Sequence, residues 1–492
     1  MSAPALETVI GLEVHAQLLT RSKMFCGCGA TFGVAPNHQT CPVCLGMPGV
    51  LPVVNRRAVE FAIRTARALH CRVNAECRFA RKHYFYPDMP KNYQISQYEE
   101  PLAEAGWLEV EVDGHIRRIG IQRLHLEEDV GRLLHEGGVF ETASSSLVDF
   151  NRSGVPLVEI VSRPELRSPL EATEYLRMLR AMLRYLGVCD GNMEEGSLRC
   201  DANISLRPAG AVTLGTKVEI KNMNSFRHVR AALEYEVERQ RRVLAGGARL
   251  VQETRLWNPD KGQTLPMRSK EFAHDYRYFP EPDLVPVRPA PAWVAEIEAG
   301  LPELPRPRRL RFVEQYGLPP YDAELLTADR ALADYYEEAT RLHPNAKALA
   351  NWVLSELLRV LRGDPVAVRA CAIRPAHLAR LVALVDDGTI SGKMAKDLFE
   401  QMARTGEDPE AIVRRDGLRQ VADEGTLIGL VDQVIVLHPA AVADYRKGKK
   451  QSAAFLVGQI MKATHGKANP QVVTRLLADR LAAADAQGGP GP

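Results

Sequence analysis

The sequence predicts an α+β protein: a first region of largely antiparallel sheet with helices, then an all-α helical domain and a small all-α tail domain. Three observations carry this. Short alternating apolar runs are interrupted by isolated helices over the first ~290 residues, without a regular βαβ rhythm. Prolines crowd residues 279–320. Beyond them the composition turns Ala/Leu-rich and helical to the end.

In chain order, Leu108-Glu-Val-Glu-Val112, Asp113-Gly114 and Ile116-Arg-Arg-Ile-Gly-Ile121 read as a hairpin, because Asp-Gly suits the left-handed turn that joins twisted strands. A helix over Pro169–Leu186 follows from Ser168 as N-cap, Pro169 at the first helical position and Glu171 as the third residue of a capping box. Its apolar residues Ala172, Tyr175, Leu176, Leu179, Met182, Leu183 and Leu186 fall on one helical face, and Gly187 ends it. Thr216-Lys-Val-Glu-Ile220 alternates as a strand. A second helix is expected from Ser225 to just before Gly246-Gly247. The prolines at 280, 282, 289, 291, 302, 305 and 307 remove backbone donors and mark a domain boundary. Gly406-Glu-Asp-Pro409 reads as a second joint. The expected division is 1–294, 295–405, 406–482 and a frayed tail at 483–492.

The 492 residues exceed what one core serves. With 46% hydrophobic and 25% charged residues, the chain reads as globular. No apolar run is long enough to span a bilayer, and no signal-peptide pattern opens the chain, so no membrane role is expected. Nine cysteines show no disulfide framework, which fits a reducing cytoplasm. The net charge of +2 announces no nucleic acid globally. However, Arg446, Lys447, Lys449, Lys450, Lys462, Lys467 and Arg475 occur with no acid between them. That one-signed stretch reads either as a phosphate-backbone footprint or as a solvated helix face.

Cys26, Cys28, Cys41 and Cys44 form the sharpest local motif: Cys-x-Cys, twelve residues, then Cys-x-x-Cys. Two tight pairs of soft ligands suit tetrahedral zinc in a knuckle over 26–44. Four unrelated thiols, or redox thiols, are the alternative.

The remaining chemistry is carboxylate-rich. Glu13 and His15 stand two apart in Val9-Ile-Gly-Leu-Glu13-Val-His15, so on a strand they share a face. His125-Leu-Glu127-Glu128-Asp129 supplies three successive acids, and Glu159 lies inside the apolar run Val155–Val161. Arg199 and Asp201 follow Glu194-Glu195. An acid in an apolar run is costly unless paired or metal-bound. Oxygen ligands plus one imidazole suit Mg²⁺ or Mn²⁺, which would neutralise nucleotide phosphates. Cross-strand ion pairs are the alternative. Lys82 and Lys91 lie among aromatics (Tyr84, Phe85, Tyr86, Tyr93) and are candidates to meet phosphate, with Arg199 and Asp201 as further nucleotide-binding candidates. There is no Gly-x-x-x-x-Gly-Lys-Ser/Thr loop, no Gly-x-Gly-x-x-Gly fingerprint and no Gly-x-Ser-x-Gly elbow. Hydrolysis through a covalent intermediate is therefore not supported.

Long ordered motifs carry a resemblance. They are Glu7-Thr-Val-Ile-Gly-Leu-Glu-Val-His15, Arg81-Lys-His-Tyr-Phe-Tyr-Pro-Asp88, Tyr93-Gln-Ile-Ser-Gln97, Arg123-Leu-His-Leu-Glu-Glu-Asp129, Val148-Asp-Phe-Asn-Arg152, Glu194-Glu-Gly-Ser-Leu-Arg-Cys-Asp-Ala-Asn-Ile-Ser205 and Asp275-Tyr-Arg-Tyr-Phe-Pro-Glu-Pro-Asp283. With Phe455-Leu-Val-Gly-Gln-Ile-Met-Lys462, they closely resemble the B subunits of aspartyl/glutamyl-tRNA amidotransferases over nearly the whole chain. The resemblance implies a cradle-shaped catalytic domain and a tail that docks tRNA through Lys447, Lys449, Lys450, Lys462 and Lys467. It implies a heterotrimer with a glutaminase (the A subunit) and a small C subunit, acting on mischarged Glu-tRNA(Gln) or Asp-tRNA(Asn). ATP would phosphorylate the side-chain carboxylate, and ammonia from the glutaminase would displace the phosphate. Glu13, His15 and Glu128 are then the leading Mg²⁺ ligands, Glu127 and Glu159 serve a second ion or the ammonia path, and Lys82 meets phosphate. Some family members look complete without the four cysteines, which makes the zinc structural. Two other readings compete: a noncatalytic zinc-containing tRNA-binding scaffold, and a stand-alone ligase for a free amino acid. The gathered acids count against the first, and the basic tail and extra helices against the second.

Overall fold

The computed structural model describes residues 5–135, 145–267, 276–361, 365–418, 424–447, 449–464, 468 and 470–487. Residues 488–492, Lys467 and Asp275 lie outside them. The fold is α+β, with a sheet-and-helix unit over Met1–Pro305 and a helical unit over Arg306–Pro492.

The first unit contains fourteen described strands: β1 (Leu6–Gln17), β2 (Arg72–Val73), β3 (Ala80–His83), β4 (Tyr93–Ser96), β5 (Ala103–Val112), β6 (His115–Glu128), β7 (Arg132–His135), β8 (Ser146–Asp149), β9 (Pro156–Ser162), β10 (Leu198–Pro208), β11 (Val218–Lys221), β12 (Glu253–Asn258), β13 (Gln263–Pro266) and β14 (Phe279–Pro280). Nine of them form one sheet in the order β13-β12-β11-β10-β1-β9-β6-β5-β2. Among the described pairs only β11–β12 is parallel. β14-β3-β4 and β7-β8 form smaller sheets. The expected hairpin is β5–β6, turning at Asp113-Gly114.

Sequence alternation sorts each central strand into two faces. Leu12, Val14 and Ala16 of β1, Leu198, Cys200 and Ala202 of β10, and Leu124 and Leu126 of β6 enter the core. That core is closed by α1 (Arg56–Ala68), α2 (Pro169–Leu186), α3 (Phe226–Ala245) and α4 (Pro291–Ala299). The other face carries Glu13, His15, Asp201, Glu159 and Glu127. The β6–β9 register shifts by one residue between Ile121 and Arg123. Core positions are Ile119 and Ile121 before that shift and Leu124 and Leu126 after it.

The helices form where capping and periodicity place them. In α2 the Ser168 hydroxyl accepts from the Glu171 amide at 3.1 Å. The reciprocal bond of a capping box is redirected: the Glu171 carboxylate accepts from the amide of Arg167 at 2.7 Å and from the Arg117 guanidinium. Glu171 thus ties the helix start to β6.

The second unit has two apolar clusters of its own, one from Phe312 to Val413 and one from Leu427 to Leu481. The first includes Ile412 and Val413, on a helix that follows the joint expected at Gly406. The last helix runs Pro470–Gln487, so residues 483–487, expected to fray, are helical. Among the described residues no single helix is long and apolar enough to cross a membrane.

Leu176 of α2 is fully buried in the first unit's core. Leu176→Ala should cost about 2–5 kcal/mol, read as a lower denaturant midpoint for the N-terminal unit. An unchanged midpoint would show that α2 does not close that core.

Candidate active site

The centre of the polar sheet face is fixed by strand register. β1 pairs with β9 so that His15 faces Glu159, and β9 pairs with β6 so that Glu159 faces His125. On the other side β1 sets Glu13 against Asp201 of β10. Three neighbouring strands therefore bring four ionisable side chains into mutual contact. His15 Nε2 lies 3.5 Å from Glu159 and 4.0 Å from Glu127. His125 Nε2 lies 3.1 Å from Glu159 and 3.3 Å from Glu127. The ligand atoms of His15, Glu127 and Glu159 all fall within 4.8 Å of one another. Glu127 is further held by Ser96 Oγ, which donates at 2.6 Å, and by Gln94 Nε2 at 3.2 Å.

Such charges survive burial only by compensation. Burial disfavours charge on both imidazoles, yet Glu159 and Glu127 outweigh it, and His125 rises to about 9 while His15 also moves up. Burial would raise Glu127 and Glu159, but Lys82 and the imidazoles bring both below the usual carboxylate range. Lys82 keeps its charge against burial because Glu127, the tyrosines and Glu159 surround it. Glu13 behaves oppositely. Burial, then Glu159, Glu219 and Asp201, push its carboxyl up, against the pull of an Asn203 amide at 2.9 Å. That side of the cluster has an excess of negative charge, which a cation would neutralise.

These groups line one cavity of about 650 Å³. It gathers the candidates Glu13, His15, Lys82, Glu127, Glu159 and Asp201, and adds Arg123, His125, Glu219, Lys221, Tyr98 and Tyr278. Lys221 bridges Asp201 and Glu219 at 3.0 and 3.2 Å. Tyr98 and Tyr278 stack at 4.3 Å. His125 was within reach of sequence reasoning, since it shares strand parity with Glu127. Tyr278 was not, because nothing in the alternation ties residues 276–278 to this face.

Three candidates, Glu128, Lys91 and Arg199, stand away from this cluster. Glu127 and Glu128 are adjacent on β6, so the pleat sends them to opposite sides. Glu128 does not join His15. It is buried on the far side and pairs with Lys91 and the Ile95 amide. Lys91 is correspondingly spent on Glu128 rather than free for phosphate, and both line a separate cavity of about 240 Å³ beside Cys26 and Cys44. Arg199 lies opposite His15 but is bound to Asp129 at 3.0 Å and does not line the larger cavity. Asp129 also accepts from Gln17 at 2.7 Å. The aromatics Phe85 and Tyr86 are exposed outside the cavity lining.

The four cysteines converge, with all four sulfurs within 4.8 Å of one another. The Cys44 thiol is pulled down. A hydrogen bond from Cys26, the Cys41 amide and the nearby Lys23 charge offset burial and hold it to about 4, while Cys26 is pushed up as the proton's holder. The turn at Cys41–Gly46 closes tightly, and at Gly46 (φ +64°) a Cβ would lie 2.2 Å from the Lys91 side chain. In the second unit Lys447, Lys449 and Lys462 are exposed, and Lys449 pairs with Asp444 at 3.0 Å. Lys450 begins a helix, and Lys467 lies outside the described residues.

A catalytic sheet domain of this kind has a family. The family model of the GatB/GatE catalytic domain matches residues 8–295, and that of the GatB domain matches residues 334–481. The chain belongs to the GatB/GatE family. It is 57% identical over 476 residues to the B subunit of the aspartyl/glutamyl-tRNA(Asn/Gln) amidotransferase of Carboxydothermus hydrogenoformans, covering 97% of this chain and 99% of the relative. Proteins of the same name from Moorella thermoacetica and Thermodesulfovibrio yellowstonii are 54% and 53% identical, over 96% of this chain in each case and 99% and 98% of the relatives.

If Lys91 serves Glu128 rather than a ligand, Lys91→Met should destabilise the N-terminal unit by about 3–5 kcal/mol, the cost of stranding a buried carboxylate. Chemical denaturation reads it, and adding Glu128→Leu should recover most of the loss. Unchanged stability with weaker nucleotide binding would restore the phosphate role.

Proposed function

We propose that this chain is the phosphorylating and amidating member of a tRNA-dependent amidotransferase. It acts on mischarged Glu-tRNA(Gln), Asp-tRNA(Asn) or both, with a glutaminase (the A subunit) and a small C subunit as partners in the cytoplasm. The observation that carries the reading is the cluster of His15, Glu127, Glu159 and His125 beside Lys82, inside a cavity large enough for a nucleotide. A scaffold has no reason to bury these charges together.

Two anions, ATP and a carboxylate, must meet in this cavity, so their repulsion has to be cancelled. The donor set of one imidazole and two carboxylates fits Mg²⁺. His15, Glu127 and Glu159 would hold it. Glu13 with Asp201 and Glu219 offers the second acidic position, where neighbouring acids push the Glu13 carboxyl up. Bound there, the ions would supply charge neutralisation for the phosphates. Lys82 presents its ammonium to the transferring phosphoryl group, where charge develops. Arg123 and Lys221 supply further positive charge on the wall, and the stacked Tyr98 and Tyr278 offer a flat surface to a base. His125, wedged between Glu127 and Glu159, orients both carboxylates. Once the side-chain carboxylate carries phosphate, its carbonyl carbon is open to ammonia. Attack forms the C–N bond, releases phosphate and leaves the amide. Ammonia must arrive deprotonated, and the ionised carboxylates of the cluster are acceptors for that proton. Lys447, Lys449, Lys450, Lys462 and Lys467 are assigned to the tRNA backbone.

The four cysteines are assigned to a structural zinc site, since four sulfurs leave no position for substrate. The bent Cys41–Gly46 turn and the low-lying Cys44 thiolate fit that ion.

ATP hydrolysis by the purified complex, with and without mischarged tRNA, tests the reading: turnover should require that tRNA. Lys82→Met should lower kcat by about 10²–10³-fold, as for loss of one charge-stabilising donor. Nucleotide affinity, to which the tyrosine pair also contributes, should change less. Absence of tRNA-dependent turnover in the wild type would sink the proposal. Because the imidazoles hold protons without a metal, Mg²⁺ must displace one. Its apparent affinity, by titration calorimetry, should rise as pH climbs above 6.5, the ordinary imidazole value from which His15 is raised. A flat profile would remove His15 from the ligand set. Finally, metal analysis should find about one zinc per chain, and Cys41→Ser with Cys44→Ser should abolish it while the folded complex still phosphorylates.

A further inference from the structure

Lys23 is fully buried. Its ammonium donates to the Gln39 carbonyl at 2.6 Å, the Phe150 carbonyl at 3.3 Å and Cys44 Sγ at 3.5 Å. Every partner the structure gives it is a carbonyl or a thiol. Carbonyl dipoles satisfy its hydrogens, but they do not balance a formal charge out of contact with water. The cysteine cluster can. Two positive charges on zinc against four thiolates leave a net charge of about −2, and Cys44 is the sulfur that touches Lys23.

The surroundings fit a built pair rather than a chance contact. The Lys23 amide donates to the Cys28 carbonyl at 2.9 Å, so its backbone is tied to the first cysteine pair while its side chain reaches the second. Ser153 Oγ donates to the Cys44 carbonyl at 3.2 Å, and the Met24 amide donates to the Gly154 carbonyl at 2.7 Å. At Gly154 (φ +88°) a Cβ would lie 3.4 Å from Lys23 Cδ and 3.5 Å from Cys44 Cβ. The segment 150–154 is thereby pressed onto the pair, and β9, with Glu159, begins two residues later.

We propose that Lys23 is the buried counter-ion of the zinc–tetrathiolate centre. It converts metal binding into a clamp on residues 150–154, which lead into β9. The proposal rests on the zinc assignment above. Lys23 is a positioning residue and touches no substrate.

The test uses the intact purified complex. Zinc content of the wild type comes first; a zinc-free wild type would overturn the zinc assignment itself, before any variant is made. With zinc present, Lys23→Met should release it to a chromophoric chelator about 10–100-fold faster, the usual range for losing a partner of a metal ligand. The thermal midpoint should fall in the zinc-loaded complex. In the Cys41→Ser, Cys44→Ser background the same change should leave the midpoint level or raise it, because a buried charge without its counter-ion is then removed. Release at the wild-type rate, or equal destabilisation in both backgrounds, would overturn the proposal and leave Lys23 as packing. Should Lys23→Met alone yield no folded complex, the triple variant decides. Its recovery supports the counter-ion, and its loss overturns it.

Discussion

Charge can be buried at the middle of a sheet only if it is cancelled there. His15, His125, Glu127, Glu159 and Lys82 meet this condition together and none of them meets it alone. The requirement reaches outward. Ser96 and Gln94 must stand where they do to hold Glu127, which fixes the position of β4 against β6. The first unit's described helices pack on the opposite face, and an apolar layer on this side would leave the charges without room for a ligand. The one-sided sheet and the cavity are thus a single arrangement.

Much of this was legible from residue order. A two-residue period places Glu13 with His15 without any structure, and capping residues locate α2 and α3 to within a residue. The four cysteines declare their convergence by spacing. The sequence misleads where neighbours in the chain are not neighbours in space. Glu127-Glu128-Asp129 reads as one acidic patch, yet the pleat gives Glu127 to the cavity and Glu128 to Lys91. Lys91 and Lys82 look equivalent in composition, and only the fold shows that one is consumed by an internal pair. Tyr98 and Tyr278 come from segments 180 residues apart, a distance over which periodicity says nothing.

Among the described residues there are two clusters of the same general kind, several ligand atoms closing on a point. They differ in what surrounds them. The sulfur cluster is finished by its own four members and sits beside a buried cation. The oxygen and nitrogen cluster is left electrically incomplete at Glu13 and opens on a cavity. Completeness suits a fixed part of the frame; incompleteness suits a place where charged substrates come and go. The ranking of the two sites follows from that difference and not from how conspicuous each motif is.

The one-residue shift between Ile121 and Arg123 gives β6 something like a reading frame. Upstream of it odd-numbered residues face the core, and downstream even-numbered ones do. A single-residue deletion there would alter no side chain of the cluster. It would also leave both faces as they are: Gln122 is the extra residue of a bulge, and without it Arg123 would follow Ile121 still opposite Val161, with His125 still opposite Glu159. Gln122, a position with an exposed side chain and no chemistry of its own, is in this sense the residue by which a strand whose apolar parity changes keeps one core face and one polar face, a role that a comparison of residue identities alone would overlook.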